Sequence, residues 1–279
     1  MTAYSFELTR IVRTALEEDA GGGDITTEAC VPPDKRISGR FVTRKEGVVC
    51  GMDCVRAVFA YLSADVTLDV LKPDGTPISG GDVIAAIAGP ARAILTGERT
   101  ALNLLQHLSG IATETARLAE AVRGTRTRIA DTRKTTPGLR MLEKYAVRAG
   151  GGSNHRTNLS DGVLIKDNHI AAAGSITKAV KAARSRIPHT LKIEVETSTL
   201  AEVREALGSG AEIIMLDNMS NEEMAEAVAL INGRALTEAS GTMGGRDLAE
   251  VARTGVDIIS IGALTHSVRA LDISLKFDL

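Results

Sequence analysis

Residues 191–218 read LKIEVETSTLAEVREALGSGAEIIMLDN. Residues 191–195 and 212–216 are short apolar runs of strand length, and 200–208 between them reads as a helix. Strand, helix, strand at this spacing suits parallel strands joined by a crossover helix. The pattern extends both ways along the chain. Residues 127–130, 162–165, 234–238 and 257–261 read as further strands, and 139–149, 176–186, 222–231 and 248–254 as helices. Six strands fall short of the eight of a closed β/α barrel, so the second half predicts an incomplete, irregular α/β barrel.

The first half is built differently. Residues 6–18 read as a helix that stops at the glycines 21–23, and 24–27 as a loop. Residues 40–43, 48–50, 66–70 and 83–88 read as strands and 53–62 as a helix. Turn chemistry appears at Lys72-Pro73-Asp74-Gly75 and Ser79-Gly80-Gly81-Asp82. Segregated strands and helices predict a separate small domain. A long helical pattern over 91–122 follows, with a break expected near Ser109-Gly110. Residues 271–277 have the pattern of a last strand.

Of the 279 residues, 44% are hydrophobic, enough for a sizeable core; only 3% are aromatic and there is no Trp, so that core is aliphatic. The net charge of −2 argues against a general nucleic-acid binder. The three cysteines, Cys30, Cys50 and Cys54, form no CxxC, which fits a reducing cytoplasm. Cys50 and Cys54 read as buried structural thiols. The first residues lack a signal-peptide pattern, and no apolar run is long enough to span a membrane.

The chemistry concentrates in residues 131–169, DTRKTTPGLRMLEKYAVRAGGGSNHRTNLSDGVLIKDNH, where seven Lys or Arg stand against four acids. In β/α barrels functional side chains sit where strands end. Here the strand ends carry Asp131-Thr132-Arg133-Lys134, Lys166-Asp167-Asn168-His169, Glu196-Thr197, Asp217-Asn218, Ser240-Gly241 and Gly262-Ala263. Arg133, Arg156 and Arg99 suit bidentate recognition of carboxylate or phosphate, and Lys134 and Lys166 are point cations for phosphate. Glu196 and Asp217 suit hydrogen bonds from sugar hydroxyls, or magnesium that a polyphosphate brings with it. The loops at Ser240-Gly241 and Gly262-Ala263 follow two late strands, where backbone N–H groups often cup a phosphate. His155 sits in a glycine-rich loop beside Arg156. His169 and His266 divide evenly between structural and ligand roles. A phosphorylated sugar with an acidic co-substrate fits this inventory.

The quoted block also resembles a known family. DTRKTTPGLR (131–140), EKYAVRAGGGSNHR (143–156) and LIKDNHI (164–170) are similar to the signature of the quinolinate phosphoribosyltransferases. The likeness continues through GDITT (23–27), ERTALNLLQHLSGIAT (98–113), IEVE (193–196), LDN (216–218), EASG (238–241) and GALTHS (262–267). Thr242-Met243 directly after EASG departs from the pattern. The resemblance implies an N-terminal α/β sandwich domain, 1–108 with 270–279 possibly rejoining it, and a barrel domain over 109–269. It implies transfer of phosphoribosyl from phosphoribosyl pyrophosphate to quinolinate with decarboxylation, giving nicotinate mononucleotide, CO2 and pyrophosphate for NAD biosynthesis, with substrate-associated Mg2+. It further implies a cytoplasmic homodimer in which Arg44 is lent across the interface. By motif, Arg99, Thr132, Arg133, His155 and Arg156 would contact quinolinate. Lys134, Lys166, Glu196, Asp217, Ser240, Gly241, Gly262, Ala263 and His266 would hold the phosphoribosyl donor, with Lys134, Lys166, Glu196 and Asp217 as the catalytic set.

Two other readings compete. A Schiff-base aldolase would use Lys166 or Lys192, but no apolar surroundings lower the pKa of either. A non-catalytic anion-binding relative would be expected to lose part of Asn154-His155-Arg156 or Lys166-Asp167-Asn168-His169, and both sets are present.

Overall fold

The computed structural model describes residues 3–278. The chain divides into two compact units. One is built from residues up to Ala116, Thr135–Gly151 and the residues from Ser267 on; the other from Arg117–Lys134 and Gly152–His266. Residues 135–151, which the sequence division places with the later strands, thus group with the first unit.

The first half contains α1 (Ala3–Ala20), α2 (Ile25–Cys30), β1 (Arg36–Thr43), β2 (Gly47–Val48), α3 (Met52–Leu62), β3 (Thr67–Val70), β4 (Pro77–Ile78), β5 (Val83–Pro90) and α4 (Ala91–Ala121). Then come β6 (Arg128–Ala130), α5 (Arg140–Ala149), β7 (Val163–Ile165), α6 (Asp167–Ala173), α7 (Ile176–Arg184), β8 (Ile193–Thr197) and α8 (Leu200–Gly208). The remainder is β9 (Ile213–Asp217), α9 (Asn221–Ile231), β10 (Leu236–Ser240), α10 (Leu248–Arg253), β11 (Ile258–Ser260), α11 (Ala263–His266) and β12 (Ile273–Phe277).

In the first unit β12, β1, β5 and β3 form an antiparallel sheet in that order. The final strand therefore returns to the first strand, with Phe41 opposite Leu275. Phe41 and Phe59 meet in the core with ring centroids 6.5 Å apart. Ile84, Ile87, Ile94, Leu105 and Leu108, all buried, supply the aliphatic remainder. Each such side chain gains about 1.5–3 kcal/mol on leaving water. Helix α5 joins this unit through its polar side chains. Tyr145 donates to Asp74 at 3.0 Å, and buried Glu143 meets His107 Nε2 at 2.9 Å. Cys50 and Cys54 are buried, and burial pushes both thiols up, Cys54 to about 12.

Two sequence expectations change here. Residues 24–27 are not all loop: Asp24 caps α2, accepting from the Thr27 N–H at 3.0 Å. Helix α4 runs unbroken past Ser109-Gly110. The Ser109 hydroxyl accepts from the Cys50 N–H and donates to the Cys50 carbonyl, so it serves packing. A Cβ at Gly110 would lie 2.3 Å from the Arg269 carbonyl oxygen, so the glycine is there for close approach.

The second unit is a six-stranded parallel sheet in the order β6-β11-β10-β9-β8-β7. Strands β7 to β11 are neighbours in chain order, while β6 sits beside β11 and not beside β7. Ser153 runs parallel to Ala130 in the place of a missing neighbour of β6. Its N–H donates to the Ile129 carbonyl at 2.8 Å and its carbonyl accepts from the Asp131 N–H at 3.2 Å. This is the incomplete barrel the strand number predicts. Ile193, Val195, Ile214, Leu216 and Ala239 are fully buried. Their chain neighbours Glu196, Met215, Asp217, Glu238 and Ser240 line a cavity on the other face, as the two-residue period of a strand requires. Capping boxes start α8 (Thr199 with Glu202) and α9 (Ser220 with Glu223). Helix α6, unmarked in the sequence reading, begins directly after Lys166. Among the described residues no helix is long and apolar enough to cross a membrane.

Candidate active site

A cavity of about 600 Å³ opens at the carboxyl ends of the parallel strands of the second unit. Loops and strand ends deliver its side chains one by one. After β6 come Thr132, Arg133 and Lys134; after the Ser153 bridge, His155 and Arg156; at the end of β7, Lys166. From β8 comes Glu196, from β9 Asp217 with Asn218 after it, and from β10 Ser240 followed by Gly241.

Cations and acids divide the cavity. Arg133 keeps a buried Nε–H with no hydrogen-bond partner among the described residues. Arg156 Nη1 donates to the Gly162 carbonyl at 2.9 Å. Burial, then the positive charge of Arg133, holds its guanidinium below its ordinary pKa, against the pull of Glu194. An anion bound beside Arg156 would relieve that repulsion. Across the cavity, Lys166 Nζ sits 2.6 Å from Glu196 Oε2. Asp217 accepts from the Asn218 amide at 2.8 Å.

The strap that carries His155 is fixed from beneath by Asp131, which is fully buried. One Asp131 oxygen accepts from the Asn154 amide at 2.5 Å and the other from the His155 N–H at 2.8 Å. The ring Nδ1 of His155 accepts from the Arg156 N–H at 2.7 Å. Its Nε2 lies 3.1 Å from Glu194 and 3.7 Å from Glu238. Both acids are buried, and burial with the neighbouring Glu194 charge pushes Glu238 up to about 7.

The loop after β11 meets Lys134. A Cβ at Gly262 would lie 2.8 Å from the Lys134 side chain and 3.2 Å from the His266 ring, so the lysine stem lies across that glycine. Thr265 donates to the Lys134 carbonyl at 2.7 Å. Gly262 lies against Lys134 and His266, and Ala263 adjoins Gly244 in the loop after β10; none of Gly262, Ala263 and His266 lines the main cavity. His169 is a structural residue here, its Nδ1 accepting the Lys166 N–H at 2.9 Å. Arg44 and Arg99 belong to the first unit and are not among the residues lining this cavity. Arg44 is 62% exposed, 4.0 Å from Asp272.

The Ser240-Gly241 loop has little slack. Gly241 has φ +84°, and a Cβ there would lie 2.3 Å from Asn218 Oδ1. Asn218 and Thr242 are also left-handed, with φ of 56° and 47°. Gly241→Ala is expected to cost about 1–2 kcal/mol for the left-handed backbone alone. Displacing Asn218 should also raise the KM of a phosphorylated substrate by about tenfold. Thermal melts and steady-state kinetics check both. Met243, part of the departure from the family pattern, is buried.

The sequence reading places Asp131 at a strand end without a role and does not mark Glu194 or Glu238 as site residues. The last two stand two residues before Glu196 and Ser240 on the same strands, so period-two alternation from the strand ends points to them.

Paired arginines facing lysines and acids, beside glycine-bearing late loops, equip an enzyme that joins a carboxylate acceptor to a phosphorylated sugar. Known proteins identify which. The chain matches the quinolinate phosphoribosyl transferase C-terminal domain over residues 111–276 and the N-terminal domain over 24–109. It is 45% identical over 273 residues to a probable nicotinate-nucleotide pyrophosphorylase (carboxylating) of Bacillus subtilis (strain 168), covering 98% of this chain and 94% of that one. It is 46% identical over 270 residues to the nicotinate-nucleotide pyrophosphorylase (carboxylating) of Mycobacterium leprae (strain TN), covering 95% of each. The nicotinate-nucleotide pyrophosphorylase structure from Francisella tularensis superposes with a TM-score of 0.92 at 39% identity, over 100% of this chain and 98% of that one. The chain belongs to the quinolinate phosphoribosyltransferase family.

Proposed function

We propose that this chain transfers the phosphoribosyl group of phosphoribosyl pyrophosphate to quinolinate with loss of CO2, giving nicotinate mononucleotide and pyrophosphate for NAD biosynthesis. The observation that carries this reading is the division of one cavity between a guanidinium pair with an unused buried donor and a lysine–acid face. Quinolinate presents two adjacent ring carboxylates. Thr132, Arg133, His155 and Arg156 orient it, which turns a bimolecular encounter into a positioned one.

The pyridine nitrogen attacks ribose C1 as pyrophosphate departs. Glu196 and Asp217 stabilise the positive charge that develops on the sugar, and Lys134 and Lys166 the negative charge on the leaving pyrophosphate. Ser240, Gly241, Gly262, Ala263 and His266 receive the 5′-phosphate side of the donor. Magnesium enters as the counter-ion of the diphosphate, as part of the substrate. Once quaternised, the ring nitrogen's positive charge stabilises the electron pair that the departing CO2 leaves on the adjacent ring carbon, and that carbon uses the pair to take up a proton.

The working unit is a homodimer, in which the partner subunit's Arg44 completes the carboxylate side. The exposure of Arg44 supports this placement. The protein works in the cytoplasm, a reading supported by its unpaired cysteines. Purified protein with quinolinate, phosphoribosyl pyrophosphate and magnesium is expected to form nicotinate mononucleotide, and nicotinate in place of quinolinate is expected to give none. Turnover of nicotinate alone would overturn the reading.

A further inference from the structure

Beneath the carboxylate side of the cavity lie Glu194 and Glu238, inward-facing acids on β8 and β10 that the mechanism above does not use. They are 5% and 2% exposed. Their nearest oxygens and His155 Nε2 all lie within 4.8 Å of one another. Glu194 Oε1 and Glu238 Oε1 are buried without a hydrogen-bond partner. Two carboxylates this close and this dry cannot both be ionised cheaply, so one proton or one cation must compensate them.

The groups facing Glu238 are His155 from the strap, Glu194 from β8 and Ser260 from β11. Burial and the charge of Arg133 disfavour the charge of Arg156, and Glu194 favours it. The His155 ring is assigned by its bonds. Its Nδ1 accepts the Arg156 backbone N–H, which leaves the proton to Nε2; that nitrogen is buried without a hydrogen-bond partner among the described residues, 3.1 Å from Glu194 and 3.7 Å from Glu238. The ring is thus bonded to the Arg156 backbone on one side and lies within ion-pair distance of both acids on the other.

We propose that Glu194 and Glu238 form a carboxyl–carboxylate pair sharing one proton, which holds the His155 ring and through it aims Arg156 at the acceptor's carboxylates. This rests on the quinolinate reading above. The two acids are positioning residues: they act through His155 and Arg156. One shared proton also limits the negative charge beneath a site that must admit a dianion. Burial and Glu194 place the ionisation of Glu238 near neutrality, at about 7. A second cavity of about 500 Å³ touches His155, Arg156, Glu194 and Glu238 together with Arg128 and Lys192. Through it the pair can exchange its proton without crossing the substrate cavity.

The sign follows directly. Below the folded-state value Glu238 is neutral and the pair carries one charge. Above it the pair carries two and quinolinate binding weakens; the cost to the fold accumulates from the ordinary glutamate value of 4.5 up to about 7 and is constant above that. The test measures kcat/KM for each substrate against pH in wild type, Glu238→Gln and Glu194→Gln, with melting curves at both ends of the range. In wild type, quinolinate kcat/KM should fall about tenfold per pH unit above the Glu238 ionisation, and the donor's should not. Glu238→Gln, a permanently neutral carboxyl mimic, should lose that alkaline limb. It should melt higher than wild type at about pH 8 and not at about pH 4, below the ordinary glutamate value.

Glu194→Gln should raise quinolinate KM about tenfold or more while the donor's KM stays within about twofold. If that variant does not fold, the Glu238→Gln profile decides alone. An unchanged alkaline limb in Glu238→Gln would overturn the proposal. So would equal losses for both substrates, or a stoichiometric divalent ion bound by wild type and lost in Glu238→Gln. Failure of wild type to turn over quinolinate would sink the function itself, a result separate from any difference among the variants.

Discussion

Arg133→Ala is expected to raise the KM for quinolinate about a hundredfold or more, and to leave that for phosphoribosyl pyrophosphate within about threefold. The reasoning starts from an unused buried donor, the Arg133 Nε–H. A carboxylate that accepts from it and from a second guanidinium nitrogen forms two charge-assisted bonds, worth about 1.5–3 kcal/mol each. One effect works the other way. Arg133 disfavours the charge of Arg156, so removing it relieves that neighbour. Relief of a repulsion spread over a partly solvated pair is smaller than two lost bidentate bonds, so the loss wins. Arg133→Lys keeps the charge and loses the fork, and should fall between, near tenfold. Initial-rate kinetics with each substrate varied in turn separate the two KM values. Equal rises for both would contradict the division of the cavity into a carboxylate side and a phosphate side.

Lys166→Ala is expected to lower kcat by about a hundredfold to a thousandfold, the scale of one lost electrostatic donor at a developing charge. Its ground-state partner is Glu196, at 2.6 Å with the lysine 45% exposed. A pair this solvated contributes only about 0–1 kcal/mol to stability, so the variant should fold and melt within a few degrees of wild type. The pair reads as a resting state, in which Glu196 occupies the lysine until a diphosphate competes for it. Glu196→Gln should therefore lower kcat without a matching loss of donor affinity, because the freed lysine still meets the phosphates. The double variant should fall short of the product of the two single losses, since the residues act on one charge separation. A kcat unchanged in Lys166→Ala would remove the lysine from the chemistry.

Much of the site is legible in the sequence because it obeys strand geometry. Lys166, Glu196, Asp217 and Ser240 each follow an apolar run, and each lies where a parallel strand ends. The buried layer beneath them, Glu194 and Glu238, is harder to see, since an acid within an apolar strand looks like a solvated position until its face is known. Asp131 shows the same problem: its task is to hold backbone N–H and amide groups of a strap over twenty residues away, and no local pattern records that. Helix α6 is too short for periodicity to mark it. Ser109-Gly110 misleads because local propensity favours a break, while the contacts with Cys50 and Arg269 that keep α4 continuous are long-range. The same holds for residues 135–151, whose place in the first unit rests on Asp74 and His107 far away in sequence.

The central claim is that one cavity couples phosphoribosyl transfer to loss of a carboxylate from quinolinate. Carboxyl-labelled quinolinate, supplied with phosphoribosyl pyrophosphate and magnesium, tests it in a single assay of gas and nucleotide. The account predicts labelled CO2 and nicotinate mononucleotide in equal amounts, with pyrophosphate matching both and none of the three without the donor. Label retained in a dicarboxylate nucleotide, or CO2 released without phosphoribosyl pyrophosphate, would contradict it.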